Sequence, residues 1–152
     1  VRQSMVFSCL DHAVLPLNPS HASYLGRGAE EESVRRAILW SYQDHDWVYA
    51  ETTMPMESYR WLFDRHDKAR PIGDLLFDED ANEVDISPLV FAMIDDTSDL
   101  YARVLRHVSQ PMNQSPLLVR RRQFMVNQAY PLMIEEVFLP GMQYYFNHLK
   151  KQ

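Results

Sequence analysis

Apolar and polar side chains alternate with a period of two in two pairs of stretches, the pattern of strands that present one face to a core. From Ser33 to Tyr42 (SVRRAILWSY), Val34, Ile38, Trp40 and Tyr42 fall on one face. Ser33, Arg35, Ala37, Leu39 and Ser41 fall on the other. A polar tip, QDHD, leads to a second β-rich run from Trp47 to Pro55 (WVYAETTMP), so the two predict a hairpin that Pro55 ends. Residues 116–127 (PLLVRRRQFMVN) and 131–140 (PLMIEEVFLP) predict another, turning at 127–130. On its second strand Leu132, Ile134, Glu136 and Phe138 share one face, and Met133, Glu135, Val137 and Leu139 the other.

The remaining segments fit around these hairpins. Residues 1–10 (VRQSMVFSCL) have the content of a strand, whereas 11–32, with two prolines and two glycines, read as a long irregular connection. Residues 56–68 suit a short amphipathic helix, and Pro71 opens a further helical turn ending near Phe77. The acidic stretch 78–85 reads as loop, 96–108 as a helix with Leu100, Val104 and Val108 inward, and 141–152 as a closing helix with Tyr144, Tyr145 and Leu149 inward. Two hairpins with helices between them predict an α+β fold, an antiparallel sheet with helices packed on it, as one domain over 1–152.

In each hairpin one charge breaks the alternation. Arg36 stands between Val34 and Ile38, and Glu136 between Ile134 and Phe138. A buried charge costs several kcal/mol unless it is paired and hydrogen-bonded, so each needs a partner: the other, or an incoming ligand. As ligand groups, Arg36 would fork onto a carboxylate and Glu136, desolvated, would act as a general acid. The alternatives are a structural Arg–Glu bridge or an exposed strand face. Arg35 and Glu135 would take these places if the register is one residue off. Arg120 and Arg122 share the face of Phe124 and could add positive charge to such a pocket.

Composition narrows the field. At 152 residues the chain is long enough to bury roughly 68–70% of its unfolded surface without staples. A net charge of −6 argues against nucleic acid, and no apolar run reaches the roughly 18–20 residues of a membrane helix. The lone Cys9 is expected to be a small buried apolar side chain. The six histidines make no metal-binding spacing, and Gly26-Arg27-Gly28 matches no phosphate loop. The expectation is a cytoplasmic monomer with a small-molecule substrate and no metal or cofactor.

RAILWSYQDHDWVYAETTMP resembles the central hairpin of the chorismate pyruvate-lyases, in which an arginine leads a strand that turns at a polar tip and returns through a tryptophan. SPLLVRRRQ with YPLMIEEVFLP resembles that family's last two strands, and RPIGDLLF its Pro-Leu-Gly segment. The likeness covers about residues 33–140. It implies a chorismate lyase-like fold and a carbon–oxygen lyase that converts chorismate to 4-hydroxybenzoate and pyruvate without a cofactor. The family's carboxylate-binding arginine maps to Arg36, its active-site glutamate to Glu136 and its backbone contact to Ile72. Family members begin with helices that help roof the pocket, and Val1 stands at or after the first strand, so that roof is expected to be missing.

A second function fits the same fold: a non-catalytic domain that binds or senses a small aromatic acid, as in GntR-type regulators. Those domains follow a helix-turn-helix segment, which is not found here.

Overall fold

Both hairpins turn on consecutive residues in the left-handed region. Gln43 and Asp44 have φ of 50° and 62°, and Asn127 and Gln128 of 52° and 58°. Positive φ at both central residues gives the first hairpin a type I′ turn, whose twist matches that of its strands. In a computed structural model, which describes residues 5–77, 82–108 and 116–142, these turns set the register of one antiparallel sheet.

Seven strands pair in the order β1-β2-β3-β7-β6-β4, with β5 also on β6. They are β1 (Val6–Pro16), β2 (Glu32–Tyr42), β3 (His45–Pro55), β4 (Val84–Ile86), β5 (Val90–Ile94), β6 (Leu117–Val126) and β7 (Tyr130–Phe138). Among the described residues four short helices join them: α1 (Pro19–Leu25), α2 (Met56–Phe63), α3 (Ile72–Phe77) and α4 (Asp99–Leu105). The expected α+β class and both expected hairpins are present. No helix among the described residues is long and apolar enough to cross a membrane.

The sheet is covered on both sides. On the first face, Val34, Met54, Phe124, Val126 and Leu132 meet Leu62 and Phe63 of α2 and Leu75 and Leu76 of α3. On the second, Ala37, Leu39, Tyr49, Val119 and Val137 meet Leu100, Tyr101 and Val104 of α4. A smaller cluster joins Leu17, Ala22 and Leu25 to Met133. Burial of each such side chain contributes about 1.5–3 kcal/mol, and because it happens on both faces, polar residues on either face of a central strand are drawn inside.

Several expectations fail for identifiable reasons. The segment 11–32 is not irregular: β1 continues to Pro16, and α1 follows. Asn18 caps α1 by accepting from the His21 N–H at 2.7 Å, Pro19 opens it, and Gly26 closes it at φ 67°. The predicted strand at 1–10 starts at Val6, with residues 1–4 outside the described residues. The 56–68 helix stops at Phe63 and the 96–108 helix runs only from Asp99 to Leu105. Cys9 is exposed, its Sγ 3.8 Å from the Lys68 carbonyl oxygen, because it lies on the outermost strand β1. Within the acidic stretch, Val84–Ile86 forms β4 against β6. The proposed inward Tyr144, Tyr145 and Leu149 lie outside the described residues.

Candidate functional site

Register brings the sequence-predicted residues to one face. Arg36 of β2 lies opposite Thr52 of β3, Thr52 opposite Ile134 of β7, and Ile134 opposite Arg122 of β6. Ala50 lies opposite Glu136, and Glu136 opposite Arg120. Side chains directly opposite in an antiparallel ladder share a face. Arg36 and Glu136 therefore stand on the same side of the sheet, two strands and two residues apart, or roughly 12 Å at the usual strand spacing and rise.

Between them lies a cavity of about 370 Å³. The small side chains of Ala50 and Thr52, on the intervening strand, leave room for its floor. Phe7 and Trp40, packed ring to ring at 5.0 Å, form an aromatic side. Pro71, Ile72 and Asp74 close it from above, at the start of α3. Arg36, Glu136, Ile72 and Arg122, the four residues singled out in the sequence, all line this one space.

Arg36 is 1% exposed. Its Nη2 donates to the Lys68 carbonyl at 3.1 Å and to the Arg70 carbonyl, which ties the 68–70 loop to the sheet. The guanidinium lies over the rings of Phe7 and Phe63, at 5.6 and 5.4 Å, and its buried Nε has no hydrogen-bond partner among the described residues. No ion pair joins Arg36 to a carboxylate among the described residues. Burial pulls its pKa below the ordinary arginine range, although Cys9 and Tyr59 act in the opposite direction. The fold thus holds a desolvated cation with unused donor capacity against a cavity.

Glu136 is engaged differently. Arg120 donates to Oε1 from Nε at 3.1 Å and from Nη2 at 2.9 Å, and to Oε2 from Nη2 at 2.9 Å. The Arg120 guanidinium also lies 5.6 Å from the Phe138 ring. Arg122 rests 5.9 Å from the Phe124 ring and has no hydrogen bond or ion pair among the described residues. Three guanidiniums thus line the cavity against the two carboxylates of Glu136 and Asp74, one of them already spent. A small anion is what this wall can hold.

Glu51, not singled out from the sequence, and Glu135, named there only for a shifted register, complete the charge pattern on the second face. Glu51, 0% exposed, accepts from Arg103 at 2.7 and 2.9 Å and from the Tyr49 hydroxyl at 2.7 Å. Burial, then the Glu51 charge, pushes the Tyr49 hydroxyl far above the usual tyrosine range. Glu135 accepts from Arg121 at 2.7 and 3.2 Å and lies 3.4 Å from His21 Nε2. Burial alone would raise Glu135, but His21 and Arg121 outweigh it and hold the carboxyl below its usual range. The β6–β7 turn was a usable signal for one of these partnerships: the turn that sets Arg120 opposite Glu136 sets Arg121 opposite Glu135.

No family model and no curated protein matches the sequence. Solved structures do match. The ligand-binding domain of a protein assigned to the GntR family of transcriptional regulators, from Bordetella bronchiseptica, is 18% identical with a TM-score of 0.60, over 89% of this chain and 85% of that one. The PhnF C-terminal domain is 14% identical with a TM-score of 0.68, over 90% and 83%. A GntR-family regulator from Bacillus cereus is 13% identical with a TM-score of 0.63, over 90% and 92%.

At these identities the likeness defines the fold: a seven-stranded α+β sheet of the kind found in GntR C-terminal domains, which is the chorismate lyase-like architecture expected. It also corrects the expected activity. The solved neighbours carry the names of a GntR-family ligand-binding domain, a PhnF C-terminal domain and GntR-family transcriptional regulators, and none carries that of a lyase, so the reading as a carbon–oxygen lyase acting on chorismate is withdrawn. The geometry supplies a physical reason. The carboxylate expected to donate a proton is forked by Arg120 instead.

Proposed function

We propose that this chain is a non-catalytic ligand-sensing domain that holds a small aromatic acid in the cavity beneath α3. The observation that carries it is Arg36: a guanidinium 1% exposed, without a carboxylate partner among the described residues, on the wall of a 370 Å³ cavity. A buried charge in that state gains most from an anion that brings its own compensating charge.

The rest of the wall supports the same ligand. Arg36 and Arg122 offer donors to a carboxylate from two sides, as a forked guanidinium does best. Phe7 and Trp40 offer faces to a ring, and Ile38 and Ile134 add apolar surface. Glu136, held by Arg120, is placed to accept a hydrogen bond from a ring hydroxyl without taking part in chemistry. The kinship in fold to regulator ligand-binding domains supports sensing over turnover.

Calorimetric titration with 4-hydroxybenzoate tests the proposal. Saturable binding is expected, with affinity falling about tenfold in Arg122→Gln, the equivalent of roughly 1.4 kcal/mol. Equal affinity in wild type and Arg122→Gln would exclude this cavity as the binding place.

A further inference from the structure

The two faces of the sheet carry one arrangement twice. Arg36 lies opposite Thr52 on the first face, and Arg35 opposite Thr53 on the second. Arg120 lies opposite Glu136 on the first, and Arg121 opposite Glu135 on the second. The cause is the pleat, which sends consecutive side chains to opposite sides, acting on strands whose polar residues come as consecutive pairs. A second cavity, of about 260 Å³, lies on the second face against Arg35, Thr53, Arg121 and Glu135.

The charges around it are unequally used. Arg121 is forked onto Glu135, which also faces His21, and Arg103 is forked onto Glu51. Asp99 stands on the rim. Arg35, half-buried, has no hydrogen bond or ion pair among the described residues. Its cross-strand neighbour Thr53 is 4% exposed, and the buried Thr53 Oγ1 has no hydrogen-bond partner among the described residues. An unpaired buried hydroxyl carries a desolvation cost that a ligand oxygen removes.

We infer that this second cavity is a carboxylate site in its own right, in which Arg35 and Thr53 receive the two oxygens of a small aliphatic acid. One unspent guanidinium fork beside one hydroxyl matches a monoanion. A phosphate dianion would face Glu135 and Asp99 with a single free cation to compensate it. Leu17, Leu100 and Val119 provide a short apolar wall. The apolar part of this lining is aliphatic, with no Phe, Tyr or Trp face of the kind Phe7 and Trp40 give the first cavity, which suits an acid of a few carbons better than a ring. The two cavities then read two acids through opposite sides of the same strands.

The test is a titration of the ¹⁵N-labelled chain with sodium butyrate at constant ionic strength, followed by amide NMR. Saturable shifts are expected at residues 33–35 and 52–54, with affinity at least tenfold lower in Arg35→Gln and severalfold lower in Thr53→Val. Arg122→Gln, which alters only the first cavity, leaves these shifts within twofold, so the two sites succeed or fail separately. Should Arg35→Gln not fold, Arg35→Lys keeps the charge but not the fork and is expected to bind more weakly than wild type. Shifts that do not saturate, unchanged affinity in both Arg35→Lys and Thr53→Val, or displacement of butyrate by a lower concentration of inorganic phosphate would overturn the inference.

Discussion

Arg120 and Glu136 face each other across the β6–β7 ladder, and three hydrogen bonds of 2.9 to 3.1 Å lock the guanidinium to the carboxylate. The pair sits on the wall of the first cavity, part-exposed at 30% and 26% of its side chains. Its effect is to hold one cation and one anion in fixed places, leaving Arg36 and Arg122 as the unspent cations on that wall. Glu136→Gln releases Arg120 toward the cavity. Affinity for 4-hydroxybenzoate is expected to rise about threefold at low salt, and the gain to shrink as ionic strength shortens the Debye length below about 10 Å. Calorimetry at two salt concentrations measures this.

Glu51 is the costliest carboxylate to lose. It is fully buried and serves Arg103 and Tyr49 together. Removing one member of a buried pair leaves the other uncompensated, at about 3–5 kcal/mol. Urea unfolding of Glu51→Gln is expected to show a loss of that order. Arg27→Gln, which breaks the part-exposed pairs with Glu57 and Glu31, should stay within about 1 kcal/mol of wild type.

The hairpins were legible because their periodicity is strong and their turns are short. Arg36 and Glu136 stood out because each breaks a run of apolar positions on one strand face. The opposite face was harder to read. With polar Ser33, Arg35 and Ser41 beside Ala37 and Leu39, it could pass for solvated surface, yet α4 covers it and Glu51 and Glu135 are buried there. The strands β4 and β5 are three and five residues long, and Val90, Phe91 and Met93 stay exposed, so burial imposes no alternation on them. Helix α1 carries its signal in its ends, Asn18-Pro19 and Gly26, rather than in an apolar stripe. The likeness in fold to GntR regulator domains was legible only as an alternative, since a carboxylate clamp looks alike in a sensor and an enzyme.

Stability should fall on the acid side in two steps. Burial, reinforced by Arg36 and Lys68, lowers the His12 pKa from 6.5. Between that lowered value and 6.5 the unfolded chain holds more protons than the folded one, so stability rises with pH there. The contribution is complete above about pH 6.5 and is lost as pH falls through the folded value. Glu135, held below 4.5, repeats the pattern at lower pH: its contribution is full above 4.5 and is lost as pH falls through its folded value. Thermal unfolding from pH 8 to 3 should show both declines, and His12→Gln should remove the upper one.

Gly141 admits no side chain. A Cβ there would lie 2.4 Å from the Asp46 carbonyl oxygen and 3.1 Å from His45 Cβ, at the tip of the β2–β3 hairpin. Backbone cannot retreat as a side-chain end can, and overpacking of this kind costs about 1–3 kcal/mol. Gly141→Ala is expected to lower the urea midpoint accordingly, without changing affinity for 4-hydroxybenzoate.

The most direct measurement follows the arginine side chains themselves. In Nε–Hε NMR spectra of the labelled chain, saturation with 4-hydroxybenzoate should shift the resonance of Arg36, whose Nε lacks a partner, together with that of Arg122, while Arg103 on the far face stays still. A spectrum in which 4-hydroxybenzoate moves neither Arg36 nor Arg122 would contradict an acid-binding pocket on that face of the sheet.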